Sequence, residues 1–363
     1  MSDIPIPTQV ADISVAWLNA VLHDDAPVIN SFRSERLGEG VGILGELARL
    51  SLDYTQGSSG PATLIAKCQS PAPENQFLAT AMGFYLREVN FYRMVADTLP
   101  VRVPHAHYAA SSDSGAPFVL LLEDIVGART PDQITGITAK EAQRILHVVA
   151  ELHAEFWDSP RLANLAWLPP MNNPMYQAGQ GMAMARLAAF SERFGARLGD
   201  EMMHTITTAC EHYVDMLHYV ANRNHLTFTH TDCRAENYLF GGSAGDDAVT
   251  MIDFQLSTLH YGPWDVANLL AGSMTAEERR TVEMELLVGY HARLVELGVT
   301  GYSFEQCLDD YRMSLLQMCT AVVIVSDLQG GNERGDELLE QLLLRPVVAA
   351  ADHRVGELLP RFC

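Results

Sequence analysis

His230-Thr231-Asp232-Cys233-Arg234-Ala235-Glu236-Asn237, followed after a turn-rich segment by Ile252-Asp253-Phe254, decides how this chain is read. A carboxylate precedes an amide by five residues, and a β-type run then ends in a second carboxylate. Phosphoryl transfer asks for that set. One Asp accepts the proton of an attacking hydroxyl, while an Asn and a second Asp ligate the metal on the nucleotide phosphates. A polar turn without chemistry would account for the first motif alone, but not for the strand that follows it and ends in Asp-Phe.

Working outward, the basic residues are informative. Lys and Arg total 24, of which only Lys67 and Lys140 are lysines. A chain that uses arginine almost everywhere keeps lysine where a compact ammonium is needed. Lys67 lies in the strand-like run Ala62-Thr-Leu-Ile-Ala-Lys-Cys68; Lys140 sits in a polar helix start and reads as solvated. A long amphipathic helix is expected over 75–98, ended by Pro100, with Leu78, Met82, Tyr85, Val89 and Tyr92 forming its apolar stripe. Glu88 falls on that side, where a carboxylate is costly unless paired. Lys67 is its natural partner; the alternative is a glutamate at the stripe's edge reaching water.

Gly40, Gly42 and Gly45 fit G-x-G-x-x-G. A dinucleotide-binding turn would need a helix next and an acidic residue about 20 positions on. Here Glu46–Tyr54 alternates as a strand and position 65 is Ile, so the context suits a loop covering a nucleotide, its backbone amides close to phosphate oxygens. A plain hairpin turn is the alternative. Gly241-Gly-Ser243-Ala-Gly245 matches a serine-hydrolase pattern, but it lies on a hairpin tip and not between strand and helix. Neither lysine follows a glycine, which excludes a Walker loop. His105, His107, His147 and His153 lack the H-E-x-x-H spacing of a zinc site and read as polar faces of a strand and a helix.

Strand patterns at 28–37, 46–54, 62–68, 104–110 and 117–123 precede a stretch that is helical from about 138, apart from a β-rich island at 226–253. We therefore expect a small β-rich lobe, residues 1–124, and a larger helical lobe, residues 125–363. The formal charge of −21 disfavours nucleic acid and anionic membranes as partners. Without a run of about eighteen apolar residues, a basic leader or paired cysteines, a cytoplasmic protein is expected, with neither a disulfide framework nor a zinc site.

Taken together, the glycine loop, Lys67, Glu88, Leu120–Ile125, Leu152-His-Ala-Glu-Phe-Trp157, His230–Asn237 and Ile252-Asp-Phe-Gln255 resemble the aminoglycoside phosphotransferase/choline kinase superfamily. The ecdysteroid-kinase-like branch is the most similar, since it carries Asp-Phe-Gln. The likeness runs from about 35 to 270. It implies an α+β, two-lobed protein-kinase-like fold: a small N-terminal antiparallel β lobe with one long helix, which binds the nucleotide, and a mainly helical C-terminal lobe for catalysis and the acceptor. It also implies ATP, Mg²⁺ and a small-molecule hydroxyl substrate. By the same resemblance Asp232 is the base, Asn237 and Asp253 ligate magnesium, and Lys67 contacts the α/β-phosphates. Backbone groups near Glu123 and Ile125 meet adenine, and Asp265 braces the catalytic loop.

Thr231 departs from the family, which has Gly there. Asp265 follows Asp253 by only twelve positions and no A-P-E occurs, so a peptide acceptor is disfavoured. A silent nucleotide-binding pseudokinase and an aminoglycoside antibiotic kinase are the alternatives.

Overall fold

The computed structural model describes residues 4–22, 28–37, 44–328 and 332–363. Two units emerge, Met1–Arg129 with Leu239–Leu256, and Thr130–Tyr238 with Ser257–Cys363.

The first unit is built on five antiparallel strands, β1 (Ile29–Leu37), β2 (Gly45–Tyr54), β3 (Thr63–Gln69), β4 (Ala106–Ser111) and β5 (Phe118–Glu123), in the order β1-β2-β3-β5-β4. Strand alternation gives the sheet two different faces. Ala48, Leu50, Ala66, Cys68, Val119 and Leu121 pack in one core cluster with Trp17 and Leu18 of helix α1 (Val15–Leu22). Lys67, paired in register with Leu47 and Leu120, is thereby turned to the opposite face.

The helix expected over 75–98 is divided into α2 (Pro73–Ala81) and α3 (Phe84–Met94). Gly83 stands between them at φ 68, a left-handed conformation that ends a helical run and that glycine adopts without a Cβ clash. The apolar stripe divides with it. Tyr85, Val89 and Tyr92 are buried on α3, whereas Leu78 on α2 is 45% exposed. The hairpin Tyr238–Phe240/Val249–Met251 carries the Gly241–Gly245 turn. Ser243 sits on that turn with its N–H donating to Val126 O, which is not the strand–turn–helix of a hydrolase nucleophile.

In the second unit a Thr138/Glu141 capping box starts α4 (Ala139–Phe156). It is followed by α5 (Pro174–Gln177), α6 (Gly179–Leu198), α7 (Asp200–Glu211), α8 (Tyr213–Ala221) and β6 (Thr227–Thr229). With the hairpin strands numbered β7 and β8, the chain continues through β9 (Thr258–His260), α9 (Pro263–Ser273), α10 (Ala276–Glu296), α11 (Phe304–Ile324) and α12 (Glu333–Asp352). Residues 313–320 of α11 are all buried, the signature of a helix surrounded on every side. It packs against α6, α7, α9 and α12. The buried leucines, methionines and valines of α11 thus pack against neighbouring helices. The short pair β6–β9 sets Thr227 opposite His260 and Thr229 opposite Thr258, and so fixes where the 230–237 loop begins. Among the described residues no helix is long and apolar enough to cross a membrane.

Candidate active site

In the first unit the site starts from one buried ammonium. Lys67 Nζ lies 2.9 Å from Glu88 Oε1, 2.8 Å from Glu88 Oε2 and 3.0 Å from Asp253 Oδ1. Lys67 is 7% exposed and Glu88 1%. Burial pulls the lysine pKa down, but the carboxylates of Asp253 and Glu88 outweigh it and hold the ammonium charged. Burial, helped by the charge of Asp253, pushes Glu88 up to about 7 against the pull of Lys67. One cation serves two carboxylates, and Glu88 is the more deeply buried of them.

Helix α3 fastens this cluster with three side chains spread over little more than one turn. Glu88 takes Lys67, Arg87 NH1 donates to Gln255 O at 3.2 Å, and Phe91 stacks on Phe254 with centroids 3.6 Å apart. Asp253 itself stands at φ 67, where a non-glycine residue is uncommon. The turn keeps that conformation because its neighbours are gripped: Phe254 is fully buried and Gln255 is 7% exposed.

Of the three loop glycines, Gly40 and Gly42 lie outside the described residues. Gly45 opens β2, and a Cβ there would meet Cys68 O at 3.1 Å and Lys67 Cε at 3.4 Å. Glycine at this place therefore leaves room for the lysine stem. Glu123 ends β5; its N–H donates to His105 O, and its carboxylate accepts from His105 N–H and from Arg102. Ile125 is 6% exposed, and the intervening Asp124 is held by a two-pronged contact from Arg49.

The second unit holds the loop 230–237 through a buried carboxylate. Asp265, in the first turn of α9, accepts from the N–H groups of His230 at 2.7 Å and Thr231 at 2.8 Å. A helix N-terminus is a favourable place for that negative charge. His153 Nε2 lies 3.1 Å from the same carboxylate, and His153 Nδ1 lies 2.8 Å from Tyr290 Oη. One assignment of donors satisfies every group. Tyr290 donates to Nδ1, and Nε2–H donates to Asp265. Trp264 Nε1 donates to Thr231 O at 3.0 Å.

Asn237 Nδ2 reaches Asp232 Oδ2 at 3.0 Å and Asp232 O at 2.7 Å, so the amide and the carboxylate of the sequence motif do meet. The loop's far end is tied by Ala235 N–H, which donates to Ser273 Oγ at 2.9 Å and Gln133 Oε1 at 3.1 Å.

Three of these braces were not legible in the sequence. His153 reads as part of a polar helix face, yet it has no exposure at all. Tyr290 and Gln133 belong to no motif. Thr231 was noted only as a departure from a family glycine. It stands at φ 71, a left-handed conformation costing a β-branched residue on the order of 1–3 kcal/mol. Its hydroxyl lies 2.7 Å from Thr258 Oγ1 and 3.1 Å from Thr229 Oγ1.

The Asp253 carboxylate and the Asn237 amide are each a hard oxygen donor of the kind magnesium takes. Among the described residues no group of three or more His, Cys, Asp or Glu is placed to hold a metal.

Comparison with known proteins adds the following. The ecdysteroid kinase-like family model matches residues 39–299. No curated protein matches the chain by sequence. Among solved structures, a Ralstonia eutropha protein provisionally assigned as an aminoglycoside phosphotransferase is 13% identical at TM-score 0.55, over 94% of this chain and 97% of that one. The GDP and kanamycin complex of APH(2″)-IIIa is 16% identical at TM-score 0.51, over 96% and 97%. Choline kinase from Cryptosporidium parvum is 11% identical at TM-score 0.52, over 91% and 90%. The likeness establishes the fold, α+β and kinase-like.

Proposed function

From its membership of the ecdysteroid kinase-like family, we propose that this chain transfers a phosphoryl group from ATP, with magnesium, to a hydroxyl of a small molecule. The observation that carries the proposal is the Lys67 ammonium held between Glu88 and Asp253 within 3.0 Å. A lysine held by a helix glutamate and a metal-binding aspartate is the arrangement that kinases use to aim an ammonium at phosphate oxygens.

In this reading Lys67 binds the α/β-phosphates and Glu88 keeps it aimed. Gly40, Gly42 and Gly45 bring backbone amides to the phosphates, and backbone groups near Glu123 and Ile125 take the adenine. The nucleotide is thus assigned to the lobe of residues 1–124, with backbone near Ile125 at its edge, and catalysis and the acceptor to residues 125–363. Asp232 accepts the proton of the attacking hydroxyl on a carboxylate oxygen. Asn237 orients that carboxylate through its Nδ2 and offers its amide oxygen, with Asp253, to the metal. Bound magnesium would neutralise phosphate charge.

Solved relatives of the fold include a choline kinase and a phosphotransferase in complex with kanamycin, and small amino-alcohols and sugars are therefore acceptor classes to test. Incubating the protein with Mg²⁺-ATP and a panel of sterols, choline, ethanolamine and kanamycin-type sugars, with mass spectrometry of each acceptor, tests the proposal. We expect a phosphate adduct on one class. ATP binding with no adduct and no ATP consumption would favour a silent pseudokinase instead.

A further inference from the structure

A threonine at φ 71 needs something to hold it there, since a β-branched residue disfavours that region more than most. Three hydroxyls close on one another at this point. Thr231 Oγ1 lies 2.7 Å from Thr258 Oγ1 and 3.1 Å from Thr229 Oγ1, and the last two are 3.1 Å apart. Thr229 and Thr258 have no exposure. Thr229 Oγ1 also reaches Thr258 O at 3.0 Å; if it donates there, its oxygen remains available to accept from a neighbour. Each of the three hydroxyls thus has partners without water.

We propose that Thr231 is a positioning residue for Asp232, acting through this hydroxyl ring. The ring ties the residue before Asp232 to the paired strands β6 and β9, and so fixes the turn from which the Asp232 side chain leaves the backbone. Relaxing φ at 231 toward the extended region would turn the Thr231 N–H away from Asp265 and swing the following residue. Asp232 has Asn237 at 3.0 Å to orient its carboxylate, and that contact survives only while the backbone beneath it stays put. Where glycine would hold the turn by its own freedom, this chain holds it by side-chain hydrogen bonds.

The kinetic part of the test rests on the proposed phosphotransferase reading; the structural part does not. Thr231→Val keeps the shape and removes the hydroxyl, whereas Thr231→Ser keeps the hydroxyl and sheds the methyl. For Thr231→Val we expect the amides at positions 230 and 231 to exchange with deuterium faster than in the wild type, with Thr231→Ser protected like the wild type. In ATP turnover, Thr231→Val should lose kcat by roughly ten- to a hundredfold while KM for ATP stays within about twofold. Should Thr231→Val fail to fold, Thr258→Val breaks the same ring from the strand side and should show the same faster exchange.

Wild-type exchange at 230 and 231 in both valine variants would overturn the proposal. So would Thr231→Ser behaving like Thr231→Val, because the hydroxyl would then not be the agent. If the wild-type protein consumes no ATP, the phosphotransferase reading fails while the exchange comparison still decides the role of Thr231.

Discussion

Lys67 places one ammonium among three carboxylate oxygens with almost no water, so its removal strips both acids of their cation. Lys67→Met should destabilise the first unit by about 3–5 kcal/mol, the usual consequence of leaving a buried charge unpaired. Glu88, pushed up to about 7 even with Lys67 beside it, rises further once that ammonium is gone and can recover part of this by taking up a proton. The loss should therefore be larger at pH 8 than at pH 6, as read by thermal unfolding at both values. A pH-independent loss would show that Glu88 stays ionised. The Lys67–Glu88 pair was legible in the sequence because lysine is scarce and a glutamate on an apolar helix face demands a partner. The role of the Thr231 hydroxyl was not, because its partners come from strands that pair only in the folded chain.

Gly262 shows why a packed element depends on a missing side chain. A Cβ at this position would stand 2.4 Å from Tyr290 Oη and 2.7 Å from His153 Nδ1, the two groups that brace Asp265. Gly262→Ala should cost about 1–3 kcal/mol through overpacking. Adding Tyr290→Phe, which removes the crowded oxygen, should restore part of the melting temperature. Strictly additive losses in the double variant would mean that the clash is relieved elsewhere.

At this scale the strands were well marked by alternation: β1, β2, β3 and β5 fall within a residue or so of the expected runs. The division of the helical stretch at Gly83 was hidden, since the apolar stripe continues on paper across a backbone that reverses sign there. His153 was hidden for the opposite reason. A histidine at helical spacing reads as polar surface until Asp265 and Tyr290 are seen to satisfy both ring nitrogens.

The whole molecule should lose stability in acid in a way that one ring helps to set. His260 is buried and neutral: burial lowers its pKa from 6.5 to about 3, opposed by the charge of Asp265. Above pH 6.5 neither folded nor unfolded chain binds that proton. Below it the unfolded chain does and the folded one does not, so stability falls by up to about 1.4 kcal/mol per pH unit until the folded ring titrates. Trp264 stacks on His260 at 5.2 Å and reports the transition by fluorescence. Urea unfolding at pH 7, 6 and 5 should fall more steeply for the wild type than for His260→Gln, and parallel curves would contradict this. The acidic balance of 24 basic to 45 acidic residues acts on both chains alike and cancels in that comparison.

In the proposed reaction Asp232 accepts a proton during phosphoryl transfer. The direct measurement is Mg²⁺-dependent ATP turnover by the wild type and Asp232→Asn, with the Kd for ATP taken on both. We predict turnover slower by about 10²–10⁴-fold in the variant with the Kd unchanged. Equal turnover in the two proteins would contradict it.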